Sequence, residues 1–158
     1  MAVPTESGQN TATLTQSRHP LDPLTPEEIA AAAATVKIQR DLGDRVRFEP
    51  IVLQEPAKGT VFNFRTGDPI EREAFIVILF NDTGATYEAI VSLNRRMVTT
   101  WRHVPGVQPR IMPDEFSECE AAVKANPEFR AAIEKRGITN PDLVMVDPWS
   151  AGNFGFEE

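Results

Sequence analysis

The sequence predicts an α+β fold: a helix packed on an antiparallel meander, followed by the opening of a second unit built from helices and one strand. Three observations carry this. Thr25-Pro26-Glu27-Glu28 is a strong helix start that leads into a run of alanines. Three strand-like runs then succeed one another across short turns between Ala74 and Val104. After Pro105 to Pro109 the pattern returns to helices, beginning at Pro113 and Pro127, with one strand-like run behind them.

Residues 1–18 are polar and aperiodic and read as a flexible tail. Order is expected from His19. Prolines at 20, 23 and 26 hold His19, Asp22 and Thr25 in extended conformations, so the segment should lie as a strap on the domain. Thr25 can cap the first helix, Pro26 suits its first position and Glu28 completes a capping box. Ile29, Ala33 and Val36 fall on one face, and Gly43 is the expected end. Residues 45–53 alternate Val46 and Phe48 against Arg45, Arg47 and Glu49, a strand bent at Pro50. Ala57, Val61 and Phe64 suggest a short helical piece, and Thr66-Gly67-Asp68-Pro69 a loop. Ala74 to Phe80 is continuously apolar and should be a central strand. Thr86 to Leu93 and Met97 to Val104 follow it across turns at Asn81-Asp82-Thr83-Gly84 and Asn94-Arg95. Short turns between successive strands imply an antiparallel meander packed on the first helix. These residues, 19–105, make the first small domain.

Residues 110–158 begin a second, incomplete one. A helix from Pro113 to Ala125 carries the stripe Phe116, Cys119 and Val123. Asn126-Pro127 caps and starts another, bearing Phe129, Ala132 and Ile133 and closed by Gly137. Leu143 to Val146 reads as a short strand entering Asp147-Pro148-Trp149, with no further sheet in the sequence to receive it. A helix pair with one strand cannot bury a core by itself.

Composition narrows the function. The net charge is −7, and residues 110–158 contribute five basic and ten acidic side chains, or −5 of it. No run of basic residues exceeds two, as at Arg95-Arg96, which excludes a duplex-binding stripe and makes nucleic acid an unexpected partner. The longest apolar runs, Ala30 to Ala34 and Ala74 to Phe80, are far too short to cross a membrane. One cysteine, Cys119, allows no internal disulfide and fits a reducing compartment. The first 18 residues lack the apolar core of a secretory signal, so an intracellular location is expected.

His19-Pro20-Leu21-Asp22-Pro23-Leu24-Thr25, Leu53-Gln54-Glu55-Pro56 and Asp147-Pro148-Trp149-Ser150-Ala151-Gly152 occur in that order. Together they resemble the N-terminal, non-catalytic domains of copper-containing amine oxidases, specifically the fungal peroxisomal type. The resemblance runs from His19 to the end of the chain. It implies two cystatin-like units: an N2-like domain over 19–105 and the truncated start of an N3-like domain over 110–158, with the catalytic β-sandwich domain absent. Full-length members are expected to oxidise primary amines to aldehydes with release of ammonia and hydrogen peroxide, as homodimers. Their cofactors are copper, held by three imidazoles that suit its character, and topaquinone, made from the tyrosine of an Asn-Tyr-Asp/Glu motif. The type is often peroxisomal, so a cytoplasmic or peroxisomal location is expected, although Gly155-Phe156-Glu157-Glu158 is not a peroxisomal signal.

This chain offers no catalytic, cofactor-binding or metal-binding residue for that chemistry. Its two histidines, His19 and His103, form no His-x-His pair and read as a strap residue and a strand end. Its one tyrosine sits in Thr86-Tyr87-Glu88, where Thr86 replaces the asparagine, and reads as a structural strand residue. Cys119 on an apolar stripe reads as an inert thiol. Asp114, Glu115, Glu118 and Glu120 read as the acidic start of a helix, without the loop geometry of a metal site. Gly152-Asn153-Phe154-Gly155-Phe156 has no helix after it to cradle a phosphate, and Trp101 and Trp149 read as packing anchors. The alternative is a stand-alone cystatin-like interaction module. Limited proteolysis separates the two, because a fragment is trimmed back to about residue 105 whereas a complete module resists.

Overall fold

The computed structural model describes residues 19–150, so the tail assigned to 1–18 and the glycine-aromatic stretch from Gly152 to Phe156 lie outside the described residues. The chain divides into two compact units, with the boundary between Pro109 and Arg110.

The first unit is helix α1 (Pro26–Gln39) followed by strand β1 (Val46–Gln54), the short helix α2 (Lys58–Asn63) and strands β2 (Glu73–Phe80), β3 (Thr86–Ser92) and β4 (Met97–Val104). The four strands form one sheet in the order β1-β2-β3-β4, antiparallel throughout. This is the helix-on-meander architecture the sequence predicts. Strand β2 is central, with Ile76 opposite Ile51 on one side and Ala89 on the other. The β1 ladder is interrupted between Phe48 and Ile51, where Glu49–Pro50 is cis, which is the bend expected at Pro50.

Helix α1 lies across β1, β3 and β4. Between helix and sheet are Ala32 and Val36 from α1, Ala74, Ile76 and Ile78 from β2, and Ala89 and Val91 from β3, all fully buried. Because strand side chains alternate between faces, Phe75, Val77 and Leu79 of the apolar run point the other way and are only half-buried. The capping box forms as expected: Glu28 N donates to Thr25 Oγ1 (3.2 Å), and Thr25 N donates to Glu28 Oε2 (2.9 Å).

Two details of α1 correct the sequence reading. The buried positions are Glu28, Ala32 and Val36, whereas Ile29 stays 36% exposed and Ala33 half-buried. The face is rotated by one position because a buried ion pair, described below, draws Glu28 inward. The helix also stops before Gly43. Asp41 takes the left-handed conformation (φ 50°), and Leu42 N donates back to Lys37 O (2.9 Å), the closing bond of a Schellman-type end. The side chain of Gln39 then ties this end to the sheet. Its Oε1 accepts from Val98 N (2.9 Å) and its Nε2 donates to Arg96 O (3.0 Å).

The second unit contains helices α3 (Pro113–Ala125) and α4 (Pro127–Glu134) and a 3-10 turn at Pro141–Leu143. Asn126 Oδ1 accepts from Glu128 N (2.8 Å) and Phe129 N (3.1 Å), capping α4 as expected. Gly137 (φ 82°) ends it, with Ile138 N donating to Ile133 O (3.1 Å). Ile133 is buried and Phe129 half-buried, but Phe116 of the α3 stripe is 40% exposed. The strand expected at Leu143 to Val146 does not form. Asn140 Oδ1 takes Asp142 N (3.0 Å) and winds the start of that run into the 3-10 turn, and residues 144–150 pair with no strand among the described residues. Without a partner to accept its backbone groups, an apolar run has no ladder to join. The run still alternates: Val144, Val146 and Pro148 are half-buried, while Leu143, Met145 and Trp149 are 80% or more exposed.

Candidate functional site

The most developed polar constellation in the first unit surrounds Arg72, just before β2. Its Nε donates to Glu28 Oε1 (2.7 Å) and its Nη2 to Glu28 Oε2 (2.9 Å), a two-point ion pair with both side chains 8% exposed. The same guanidinium donates through Nη1 to Asp22 O and through Nη2 to Pro23 O, each at 3.1 Å. One side chain therefore fastens the strap to both the first helix and the sheet. The strap completes a turn of its own: His19 N donates to Asp22 Oδ2 (2.9 Å), Leu21 N to His19 Nδ1 (3.1 Å) and Asp22 N to His19 O (3.0 Å). Pro20 is fully buried beneath it, and the His19 ring stands edge-on to Phe64 at 5.6 Å. Arg72 itself is fixed by Asn94 of the β3–β4 turn, whose Oδ1 accepts Arg72 N (2.8 Å).

Burial alone would raise the Glu28 carboxyl, but the hydrogen bonds from Arg72 and from Thr25 N, together with the Arg72 charge, outweigh it and hold the group below its ordinary value of 4.5. A carboxyl depressed in the folded state contributes stability that is fully present above the unfolded value and is lost as pH falls through the lower folded one. The chain should therefore lose stability below about pH 4.5 more steeply than Glu28→Gln does, measured as urea midpoints across that range. Equal slopes would show that Glu28 contributes nothing to the acid limb.

A second constellation is aromatic. Tyr87 on β3 lies nearly parallel to Trp101 on β4 (centroids 4.8 Å apart, 23° between planes) and next to His103 (4.9 Å, 36°). Phe80 meets Tyr87 edge-on at 5.2 Å. The Arg40 guanidinium, at the end of α1, covers the Trp101 ring at 5.3 Å. Cross-strand registry makes the group: Tyr87 is directly opposite His103 and Ile78, and Trp101 is opposite Ala89. Tyr87 and Trp101 are half-buried against the core, and His103 is exposed. His103 and Tyr87 thus occupy the strand positions expected of them, and Trp101 is a packing anchor. Trp149 is not: it is 83% exposed, with Nε1 donating to Asp147 Oδ2 (2.8 Å). Cys119 is half-buried on α3. Of the acidic residues there, Glu115 folds back to accept Met112 N (2.7 Å) and Glu120 pairs with Lys124 (2.8 Å). Sequence reasoning missed Arg72 and Arg40. In Glu71-Arg72-Glu73 nothing distinguishes a buried arginine from a solvated one, and the placement of Arg40 over the Trp101 ring is a product of the fold.

Residues 19–104 match the copper amine oxidase N2 domain and residues 114–158 the copper amine oxidase N3 domain. The chain belongs to the copper amine oxidase family. It carries that family's N2 and N3 domains. It is 42% identical over 138 residues to the primary amine oxidase of Arthrobacter sp. (strain P1), covering 87% of this chain and 21% of the relative. It is 37% identical over 175 residues to the peroxisomal N-methylputrescine oxidase 1 of Nicotiana tabacum, covering 89% and 22%. The chain thus spans about a fifth of the length of these curated relatives. The copper-containing benzylamine oxidase of Hansenula polymorpha shares the fold, with a TM-score of 0.66 and 23% identity over 76% of this chain and 20% of that structure.

Copper and topaquinone are the cofactors this family implies. The residues present do not fit them. A three-imidazole copper site exceeds the two histidines of the sequence, His19 is committed to the strap turn through Nδ1, and no three His, Cys, Asp or Glu side chains converge among the described residues. The only tyrosine, Tyr87, is packed within its aromatic group. Nor is any helix among the described residues long and apolar enough to cross a membrane.

Proposed function

We propose that this chain forms the N-terminal, non-catalytic part of a primary-amine oxidase of the fungal peroxisomal type. Residues 19–105 are its first small domain and 110–158 the opening of its second. The whole protein is a homodimer that deaminates primary amines with copper and topaquinone, both held in a catalytic domain, in the peroxisome or cytoplasm. The observation that supports this best is the collinear match to the N2 and N3 domains, in family order and across the boundary at Pro109. The peroxisomal part rests on the names of two tobacco relatives.

The test is the coding sequence beyond the Glu158 codon. A frame continuing to an Asn-Tyr-Asp/Glu motif and a His-x-His pair supports the reading, and a stop codon in abundant transcript overturns it. The 158-residue chain alone, supplied with copper and with methylamine, ethylamine or benzylamine, should release no hydrogen peroxide above a blank. Sustained copper-dependent peroxide release by the pure chain would refute its assignment as non-catalytic.

A further inference from the structure

The Tyr87–Trp101 stack is the one place where the two most readily oxidised kinds of side chain in this unit meet face to face, and packing alone does not require that pairing of rings. The planes are 23° apart with centroids separated by 4.8 Å, a contact that gives strong electronic overlap between the two π-systems. The surroundings are asymmetric. The fixed positive charge of Arg40 lies over Trp101, at 5.3 Å, and disfavours positive charge on the indole. The imidazole of His103 also lies beside Tyr87, at 4.9 Å between centroids, and is exposed to solvent. Phe80, which cannot be oxidised under the same conditions, closes the edge of Tyr87.

We propose that Trp101 and Tyr87 form a radical relay, in which an oxidising equivalent that reaches Trp101 passes to Tyr87. A diffusible one-electron oxidant, of the radical class that arises when peroxide meets a redox metal, takes one electron from Trp101. The indole N–H proton leaves to water, which gives a neutral indolyl radical. Tyr87 then supplies one electron, its phenolic proton leaves toward solvent, and the indole nitrogen takes a proton back from water, which restores Trp101 and leaves a neutral phenoxyl radical. The transfer runs in this direction because the phenoxyl radical is the more stable of the two near neutral pH. His103 is a positioning residue beside the phenol and offers an imidazole through which that proton reaches solvent. A protein that makes hydrogen peroxide has a use for such a sink, and that use rests on the oxidase reading. The relay itself does not, because every group in it belongs to this chain.

Pulse radiolysis with the azide radical, which oxidises indole in preference to phenol, tests the relay on the 158-residue chain. Since Tyr87 is the only tyrosine and Trp149 the only other tryptophan, the signals can be assigned by substitution. In Trp149→Phe the indolyl band should decay as the phenoxyl band rises, at a rate independent of protein concentration. Trp101→Phe preserves an aromatic ring in the packing and should abolish that conversion. Tyr87→Phe should leave a long-lived indolyl radical, and His103→Ala should slow the conversion without changing the fold, as read by circular dichroism. Concentration-dependent conversion in Trp149→Phe, or undiminished intramolecular conversion in Trp101→Phe, would overturn the relay. Success or failure here leaves the coding-sequence test of the oxidase reading untouched.

Discussion

Replacing Arg72 with alanine should destabilise the first unit by roughly 3–5 kcal/mol, the cost of leaving one member of a buried ion pair without its partner. The effect is large because the guanidinium makes four bonds at once, two to the Glu28 carboxylate and one each to Asp22 O and Pro23 O. Its removal leaves a carboxylate whose side chain is 8% exposed with only the Thr25 N–H beside it, and two strap carbonyls lose their donor. Small domains are stable by only about 5–15 kcal/mol, so the variant should sit close to the unfolding transition. The loss is not a measure of what the pair contributes, since two apolar residues of similar volume in its place can be nearly neutral. Urea unfolding of Arg72→Ala, Glu28→Leu and Arg72→Met with Glu28→Leu separates these statements. The double variant should recover most of the stability that Arg72→Ala loses. Amide exchange in residues 19–25 should accelerate in every variant lacking the arginine, because Asp22 O and Pro23 O then lose the guanidinium that fastens them. A loss below about 1 kcal/mol for Arg72→Ala would place the pair among ordinary surface bridges and sink the strap argument.

What the sequence disclosed and what it withheld follow from the range of the interactions. The capping box at Thr25, the bend at Pro50, the cap at Asn126 and the end at Gly137 are all decided within five residues, and each was legible. The order of the meander was legible too, because short turns leave successive strands no other neighbours. The orientation of α1 was not. An alanine-rich helix has almost no hydrophobic contrast around its circumference, so the buried face was chosen by Arg72, 44 residues away, and not by Ile29. The end of the helix was misplaced for a related reason: Asp41 adopts a conformation usually left to glycine, and the nearby Gly43 drew the prediction. The failed strand at Leu143 to Val146 is different in kind. Its alternation is real, as the half-buried Val144 and Val146 show, but a ladder is a property of two segments. Of the candidate site, the individual positions of Tyr87, Trp101 and His103 were readable and their convergence was not, since it depends on the register of β3 against β4.

The core should respond to truncation most strongly at Ile76. Both Ile76 and Ile78 are fully buried on the face of β2 that meets α1, so either change to alanine removes the same atoms from the same kind of surroundings. The cost then depends on how far the neighbours can close the cavity, within a range of about 2–5 kcal/mol. Next to Ile78 in the register are Phe48 and Tyr87, half-buried rings large enough to cover part of a void left beside them. Ile76 has Ile51 and Ala89 beside it in the register and Ala74 along the strand, and the helix contributes Ala32 to the same core. Alanine has no side-chain torsion with which to fill a void and the β-branched Ile51 is stiff at its first torsion, so the space left at Ile76 should persist. Ile76→Ala is expected near the upper end of that range and Ile78→Ala near the lower. Ile38→Ala, at a position 80% exposed on α1, should stay within about 0.5 kcal/mol of the parent and serves as the reference. Urea unfolding followed by Trp101 fluorescence in a Trp149→Phe background reports on this unit alone. Should Ile78→Ala prove the more costly, the side chains around Ile76 must be freer to move than a core built on three alanines allows.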